Sequence, residues 1–208
     1  MTASDTTIGC ILAGGLARRM GGGDKPMLVL DGRPILSHVV DRLRPQVDTM
    51  MLNANGDPAR FSDFGLPVAA DPVGGFAGPL AGVLAGLRWA QEHQPRIEGI
   101  ISVAGDTPFF PTNLTERLLD ARAGDRDRIV LARCGGHNHP VFGYWPLAHT
   151  DALDAFLREG TTGKVLAFVD MHPNARAEFE EDGHDPFFNI NTPEDLAQAE
   201  AFVRKGSS

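Results

Sequence analysis

Apolar and polar positions along the first two thirds of the chain follow two alternating patterns. Short apolar runs, typical of buried strands, alternate with segments whose apolar residues recur every three or four positions, as in an amphipathic helix. The predicted strands are 8–12, 49–53, 68–70, 97–104 and 129–133, and the predicted helices are 34–43, 79–93 and 112–123. Strands and helices that alternate in this way predict a mostly parallel sheet covered by helices.

The pattern changes after residue 133. Gly135 and Gly136 separate the last of these strands from another apolar run at 141–145, and this arrangement predicts an antiparallel hairpin. Helices at 150–158 and 163–169, a short strand at 175–179 and a final helix at 194–204 are predicted beyond it. Thr192 is a typical N-cap for the final helix, and Pro193 suits its first turn. The predicted fold is a single Rossmann-like α/β domain over residues 1–208. It has a mostly parallel sheet flanked by helices, an antiparallel hairpin, and frayed ends at 1–6 and 205–208.

The composition is that of a small acidic globular protein. With 208 residues, 42% of them hydrophobic, the chain can bury one substantial core. The formal net charge of −8 argues against a general nucleic-acid-binding protein, which would have a basic face. No apolar stretch approaches the roughly 18 residues of a membrane span, and the N-terminus lacks a signal-peptide pattern. We therefore expect a cytoplasmic protein without a nucleic-acid or membrane partner.

The cysteines and histidines do not form a clear metal-binding pattern. Cys10 lies in the first predicted strand, and Cys134 precedes the hairpin glycines, a position compatible with exposure. Two cysteines are too few for a disulfide framework or a thiolate zinc site. His137 and His139 are spaced to share a zinc ion, but without further Cys or His nearby a hairpin turn is favoured. The remaining histidines are expected at the surface: His38, His93, His149, His172 and His184.

The glycine-rich segment 12–25 carries the most specific functional signal. It reads Leu-Ala-Gly-Gly-Leu-Ala-Arg-Arg-Met-Gly-Gly-Gly-Asp-Lys and directly follows the first predicted strand. Glycines in such a turn expose backbone N–H groups that can bind a polyphosphate, and the arginines and the lysine add positive charge. The order of residues fits neither the P-loop nor the dinucleotide-binding fingerprint. The segment predicts a site for a small anionic ligand that differs from both.

Leu12 through Lys25 match, position by position, the form L-A-G-G-x-x-x-R-M-G-G-x-D-K. This stretch resembles the signature loop of nucleotidyltransferases, and its spelling is similar to that of the molybdenum cofactor guanylyltransferase (MobA) family. The resemblance implies the nucleotide-diphospho-sugar transferase type of fold and a Mg²⁺-dependent reaction. GMP would pass from GTP to the terminal phosphate of molybdenum-molybdopterin, giving the guanine dinucleotide cofactor and pyrophosphate. It also implies contacts with proteins of molybdenum-cofactor biosynthesis or insertion.

Polar residues follow the predicted strands at the edge where ligands of open α/β sheets bind. Asp106, after the fourth strand, is placed either to bind Mg²⁺ or to cap the following turn. The resemblance favours the metal role, and it implies catalytic roles for Lys25, Arg19 and Asp106. The nucleotide-binding residues that it implies are Leu12, Ala13, Gly14, Gly15, Lys25, Asn53, Asp71, Gly78 and Asp106. Asp71 can accept hydrogen bonds from either the guanine base or the ribose, and the sequence leaves both open.

Asn189 and Asn191 precede the final helix and lie two residues apart. In an extended segment this spacing points both amides to one face, which suits a polar ligand or a second metal ion. The alternative is that Asn191 only assists the Thr192 cap. The resemblance implies that His139, Asn189 and Asn191 contact the pterin substrate, so that GTP and the pterin would occupy opposite ends of one cleft.

Two other functions remain open from the sequence. One is a cytidylyltransferase or a sugar-phosphate nucleotidyltransferase. Gly14 argues against the cytidylyl relatives, because they usually read Leu-Ala-Ala-Gly at this point. The other is a noncatalytic nucleotide or cofactor carrier of the same fold, which would need neither Lys25 nor Asp106.

Overall fold

The computed structural model describes residues 6–14, 25–72, 78–94, 96–160 and 164–206. In these residues the strands are β1 (Ile8–Leu12), β2 (Val29–Leu30), β3 (Arg33–Pro34), β4 (Thr49–Asn53), β5 (Val68–Ala69), β6 (Gly99–Ala104), β7 (Ile129–Cys134), β8 (His137–Pro146) and β9 (Asn174–Phe179). The α-helices are α1 (Ile35–Leu43), α2 (Pro79–His93), α3 (Leu114–Asp120), α4 (Thr150–Glu159), α5 (Val165–Val169) and α6 (Pro193–Gly206). None of the helices described has the length and apolar character needed to cross a membrane.

Seven of these strands form one sheet in the order β5-β4-β1-β6-β8-β7-β9. The pairs β1–β4, β1–β6, β4–β5 and β7–β9 are parallel, and β8 runs antiparallel to both of its neighbours. Strands β2 and β3 form a separate antiparallel pair. Leu12 lies opposite Asn53 on one side and Ala104 on the other, so the carboxyl ends of β4, β1 and β6 meet at one edge. The predicted α/β fold with a mostly parallel sheet and a hairpin is confirmed.

Alternate residues of the central strands face two hydrophobic cores. Ile11 packs in a core with residues of α1 and α3, whereas Cys10 packs in a second core with residues of α2, α4 and α5. Both residues are fully buried, as expected for a parallel strand covered by helices on both faces. Packing on both faces therefore holds the central strands in place, and it fixes the positions of their carboxyl ends.

A third, smaller hydrophobic cluster attaches α6 to the rest of the fold. Leu30, Ile35, Ile190 and Ala199 are its buried members. Leu196 and Val203 pack against it and form the inward face of this helix. Because Ile190 is fully buried here, its neighbours Asn189 and Asn191 are held close to the sheet.

Several boundaries differ from the sequence-based expectations. Strand β8 begins at His137 rather than 141, because Gly135 and Gly136 alone make the turn, both with positive φ (54° and 79°). His137 and His139 therefore lie in a strand and not in the turn. Helix α3 is shorter than predicted, with Ala123 at a φ of +52° just beyond it. Helix α6 continues through Gly206.

The burial of some residues also differs from expectation. Cys134 is buried rather than exposed, because it ends β7 between the flanking strands β8 and β9. Of the five histidines expected at the surface, only His93 is exposed; the other four are half-buried. His149 and His172 lie against each other, with ring centroids 4.5 Å apart, and His184 stacks on Phe202.

Candidate active site

Lys25, the last residue of the glycine-rich segment, lies at the centre of the site. It is only 7% exposed. Its ammonium group donates hydrogen bonds to Oδ2 of Asp106 at 2.5 Å, to Oδ1 of Asn189 at 3.0 Å and to Oδ1 of Asn191. A lysine ammonium has three hydrogens, so this arrangement uses its full donor capacity. The positive charge is held by one carboxylate and two amide oxygens, which together we call the lysine cage.

Main-chain contacts between distant segments build the lysine cage. Asp106 follows β6 in a turn whose start is fixed by the N–H of Gly105, which donates to the carbonyl of Leu12 at 3.0 Å. The N–H of Ile190 donates to the carbonyl of Asp106 at 3.1 Å. The segment with the two asparagines is therefore hydrogen-bonded directly to the turn that carries the carboxylate.

A capping box at the start of α6 fixes Asn191. The Asp195 carboxylate accepts hydrogen bonds from the N–H groups of Asn191 at 2.8 Å and Thr192 at 2.9 Å. The Thr192 hydroxyl accepts in return from the N–H of Asp195 at 3.2 Å. The predicted Thr192 cap is confirmed. The Asn191 side chain takes no part in it, since its oxygen contacts Lys25.

The cage differs from the expected separation of the two substrates. The family resemblance implies that Lys25 and Asp106 bind the nucleotide. It also implies that Asn189 and Asn191 bind the pterin at the opposite end of a cleft. In the structure all four side chains meet at a single ammonium group. Any ligand that approaches one pair therefore also approaches the other.

A second polar network lies at the ends of β4 and β5. Asn53 donates from Nδ2 to Oδ1 of Asp71 at 2.9 Å and to the carbonyl of Ala69 at 3.2 Å. Asn55 donates to the other Asp71 oxygen at 2.6 Å, and its own Oδ1 accepts from the Asp71 N–H at 2.9 Å. Asn55 was absent from the predicted site residues; its position two residues beyond a strand end was the available signal. The network fixes both oxygens of the Asp71 carboxylate in place.

Helix α2 closes tightly over this network at Gly82. A Cβ atom on Gly82 would lie 2.3 Å from Oδ1 of Asn53 and 2.9 Å from Cδ2 of Leu12. Asn53 itself is only 4% exposed, and its amide nitrogen is hydrogen-bonded to Asp71 and to the Ala69 carbonyl. Glycine at position 82 is therefore required for the observed position of Asn53.

His139 lies apart from the cage, in β8. Its ring stacks on that of Phe187, with centroids 4.3 Å apart and planes 24° apart. Burial, assisted by His137 and opposed by Asp185, holds the pKa of His139 below its ordinary value of 6.5. Its Nε2 atom is buried without a hydrogen-bond partner. The imidazole is therefore neutral at physiological pH.

The other predicted site residues are placed as follows. Ala13 is buried and donates its N–H to the Asn53 carbonyl at 2.8 Å, while Gly14 and Gly78 are exposed. Gly15 and Arg19 lie outside the described residues. Within the part of the chain that is described, no group of three or more His, Cys, Asp and Glu side chains is arranged to hold a metal ion. The oxygens of Asp106, Asn189 and Asn191 are nevertheless of the hard type that Mg²⁺ prefers.

The chain is similar to several known proteins. Residues 9–175 match the family described as the MobA-like NTP transferase domain. A protein named molybdenum cofactor guanylyltransferase from Bradyrhizobium sp. (strain ORS 278) is 52% identical over 202 residues, which cover 96% of this chain and 95% of that protein. One with the same name from Rhodopseudomonas palustris (strain BisB5) is 49% identical over 207 residues, which cover 100% of this chain and 99% of that protein. The structure of molybdopterin-guanine dinucleotide biosynthesis protein A from Archaeoglobus fulgidus has a TM-score of 0.74 at 22% identity and covers 95% of this chain and 99% of its own, which shows a shared fold.

Proposed function

Because the chain belongs to the family of MobA-like NTP transferase domains, we propose that it transfers GMP from GTP to the terminal phosphate of molybdenum-molybdopterin. The products are the molybdopterin guanine dinucleotide cofactor and pyrophosphate. The observation that carries this proposal is the lysine cage, at the carboxyl edge of the sheet where a nucleotide would bind. A buried cation with three oxygen ligands supports a catalytic site rather than a simple carrier.

The reaction needs positioning and charge neutralisation more than proton transfer. An oxygen of the pterin phosphate forms a bond to the α-phosphorus of GTP, and the bond from that phosphorus to the bridging oxygen of the β-phosphate breaks. The attacking phosphate is already anionic, so no general base is required. Lys25 and Arg19 would stabilise the negative charge that grows on the departing pyrophosphate.

The donor set of the cage fits a magnesium ion. Asp106 would be the charged ligand and the amide oxygens of Asn189 and Asn191 neutral ones; a bound Mg²⁺ would supply positive charge between the reacting phosphates. In the structure these oxygens accept hydrogen bonds from the Lys25 ammonium. Lys25 would bind the phosphates of GTP through its ammonium group.

The network around Asp71 would recognise the nucleoside. Each Asp71 oxygen accepts one amide hydrogen and keeps further acceptor capacity, since a carboxylate has about four lone-pair sites. The free capacity suits the N1 and N2 hydrogens of guanine or the ribose hydroxyls. The backbone of Leu12–Gly14 would approach the phosphates. His139 would contact the pterin substrate as a neutral imidazole.

Nucleotide selectivity tests the substrate. Thermal unfolding with GTP, CTP, UTP and ATP, each with Mg²⁺, should give the largest increase in Tm with GTP. A ligand that binds only the folded protein adds roughly 2.7 kcal/mol at a hundredfold excess over its Kd. A larger increase with CTP would assign the chain to cytidylyl transfer instead. GTP binding without release of pyrophosphate in the presence of molybdopterin would indicate a carrier.

The variant Asp106→Asn tests the catalytic role of the cage. It keeps the shape of the side chain but removes its charge, so guanylyl transfer should fall on the order of a hundredfold or more. The Tm without ligand should also fall, because Lys25, only 7% exposed, would lose the one carboxylate among its described partners. Asp41→Asn is the matched control, because Asp41 is an exposed carboxylate whose ion pair with Arg33 lies outside the cage. Near-normal turnover by a folded Asp106→Asn protein would exclude the proposed metal-binding role.

A further inference from the structure

A cavity of about 400 Å³ lies between α1 and the segment that follows Asp106. Helix α1 contributes His38, Asp41 and Arg42 to its lining, and the other side consists mainly of Pro108, Phe109 and Thr112. None of these residues belongs to the lysine cage or to the Asp71 network. The volume lies within the range of about 300–1,000 Å³ that is usual for small-molecule sites.

Arg42 is the unusual member of this lining. Within the described part of the chain its guanidinium group has neither a hydrogen-bond nor an ion-pair partner, and its Nε atom is buried. Burial lowers the pKa of Arg42 below its ordinary value. A positive charge that is partly removed from water without compensation destabilises the fold.

The neighbouring carboxylate does not compensate this charge. Asp41 also lines the cavity, but it forms an ion pair with Arg33 at 2.6 Å. Among the described residues no ion pair joins Asp41 to Arg42, although both line the cavity. The N–H donors of the guanidinium group are therefore available to a ligand.

The remaining lining defines the chemistry of that group. Pro108 and Phe109 supply an apolar wall, and Thr112 supplies a hydroxyl group. Arginine donors suit the planar or trigonal oxygens of carboxylate and phosphate. We propose that this cavity is a second ligand site, separate from the nucleotide site, which binds a small organic anion. The anion would place a carboxylate or phosphate on Arg42 and an apolar group against Phe109.

The Nε–H signal of Arg42 in an NMR spectrum of ¹⁵N-labelled protein provides a direct test. It is assigned by its loss in Arg42→Met, and the protein is titrated separately with phenyl phosphate, benzoate and phenol. We expect a saturable shift with phenyl phosphate or benzoate, whichever head group fits, and none with phenol. A saturable shift with phenol, or only linear shifts with both anions, would overturn the proposal.

Variants then assign the binding to Arg42. With the backbone amides of Phe109 and Thr112 as probes, Arg42→Met should weaken binding at least tenfold, whereas Arg42→Lys, which keeps the charge, should weaken it less. Arg44→Met is the matched control, because Arg44 is exposed two residues further along the chain and is absent from the cavity lining. Equal affinity in the wild type and Arg42→Met, or an equal loss in Arg44→Met, would refute the assignment.

Discussion

Replacement of Gly82 by alanine should disrupt the recognition of the nucleoside through one added methyl group. The new Cβ would lie 2.3 Å from Oδ1 of Asn53, far closer than two such atoms approach in proteins. Asn53 can move only by giving up its hydrogen bonds to Asp71 at 2.9 Å and to the Ala69 carbonyl at 3.2 Å. The substitution therefore acts on Asp71 without touching it.

The expected magnitude combines three effects. Overpacking costs about 1–3 kcal/mol, and the loss of a hydrogen bond to a charged group costs about 1.5–3 kcal/mol. The higher helix propensity of alanine offsets about 1 kcal/mol of this loss of stability. We expect a net loss of about 2–4 kcal/mol in the free energy of unfolding, which for a chain of this size lowers Tm by roughly 5–15 °C. GTP affinity should fall on the order of tenfold, which corresponds to about 1.4 kcal/mol.

Gly86→Ala is the matched control. It lies one turn further along α2, and its Cβ would meet Sγ of Cys10 and Cδ1 of Ile100, each at 2.7 Å. Both variants gain the same helix propensity and both overpack a buried contact, but only Gly82→Ala displaces Asn53. Denaturant unfolding and calorimetric titration with GTP distinguish them. Wild-type stability of Gly82→Ala, or an equal loss of GTP affinity in Gly86→Ala, would refute the proposed role of Gly82.

Three further predictions concern the α6 cap, His139 and the two thiols. Asp195→Ala and Thr192→Ala should each cost about 1 kcal/mol in denaturant unfolding. Only Asp195→Ala should also lower turnover, because it frees the N–H of Asn191. Equal turnover by the two variants would contradict this. Burial keeps the pKa of His139 below 6.5, so the unfolded chain binds its proton more readily. The wild type should therefore lose stability more steeply than His139→Phe as the pH falls below 6.5; parallel curves would exclude this effect. Burial raises the pKa of Cys10 to about 12 and also raises that of Cys134, so neither thiol should react with a thiol reagent near neutral pH until the protein unfolds.

The sequence predicts the central part of the fold well because local patterns determine it. β1, β4 and α2 have the predicted bounds. The strands are continuous apolar runs buried on both faces, and Pro79 marks the first turn of α2. The β2–β3 pair was not predicted, because two-residue strands are too short to show a periodicity.

The sequence predicts the members of the site better than their arrangement. Lys25, Asp106, Asn189 and Asn191 were all recognised. Their meeting at one ammonium was not, because Lys25 and Asn191 are separated by 166 positions. Such contacts depend on how α6 packs against the rest of the fold, and no local sequence pattern indicates that packing. Asn55 went unrecognised for a related reason: an asparagine after a strand usually makes a turn, and only the proximity of Asp71 reveals its role.

The docking of α6 also determines when the active site can form during synthesis. The ribosome produces Lys25 and Asp106 well before Asn189 and Asn191, and folding proceeds from the N-terminal side as the chain emerges. A nascent chain can thus assemble its central strands while its lysine still lacks two of its three oxygen partners. Chains that terminate before residue 189 would lack two of the oxygen partners of Lys25 and would expose the apolar surface that Ile190 and Ala199 cover. The site therefore cannot assemble before Asn189 and Asn191 have left the ribosome, and chains that stop before them would be inactive and open to proteolysis.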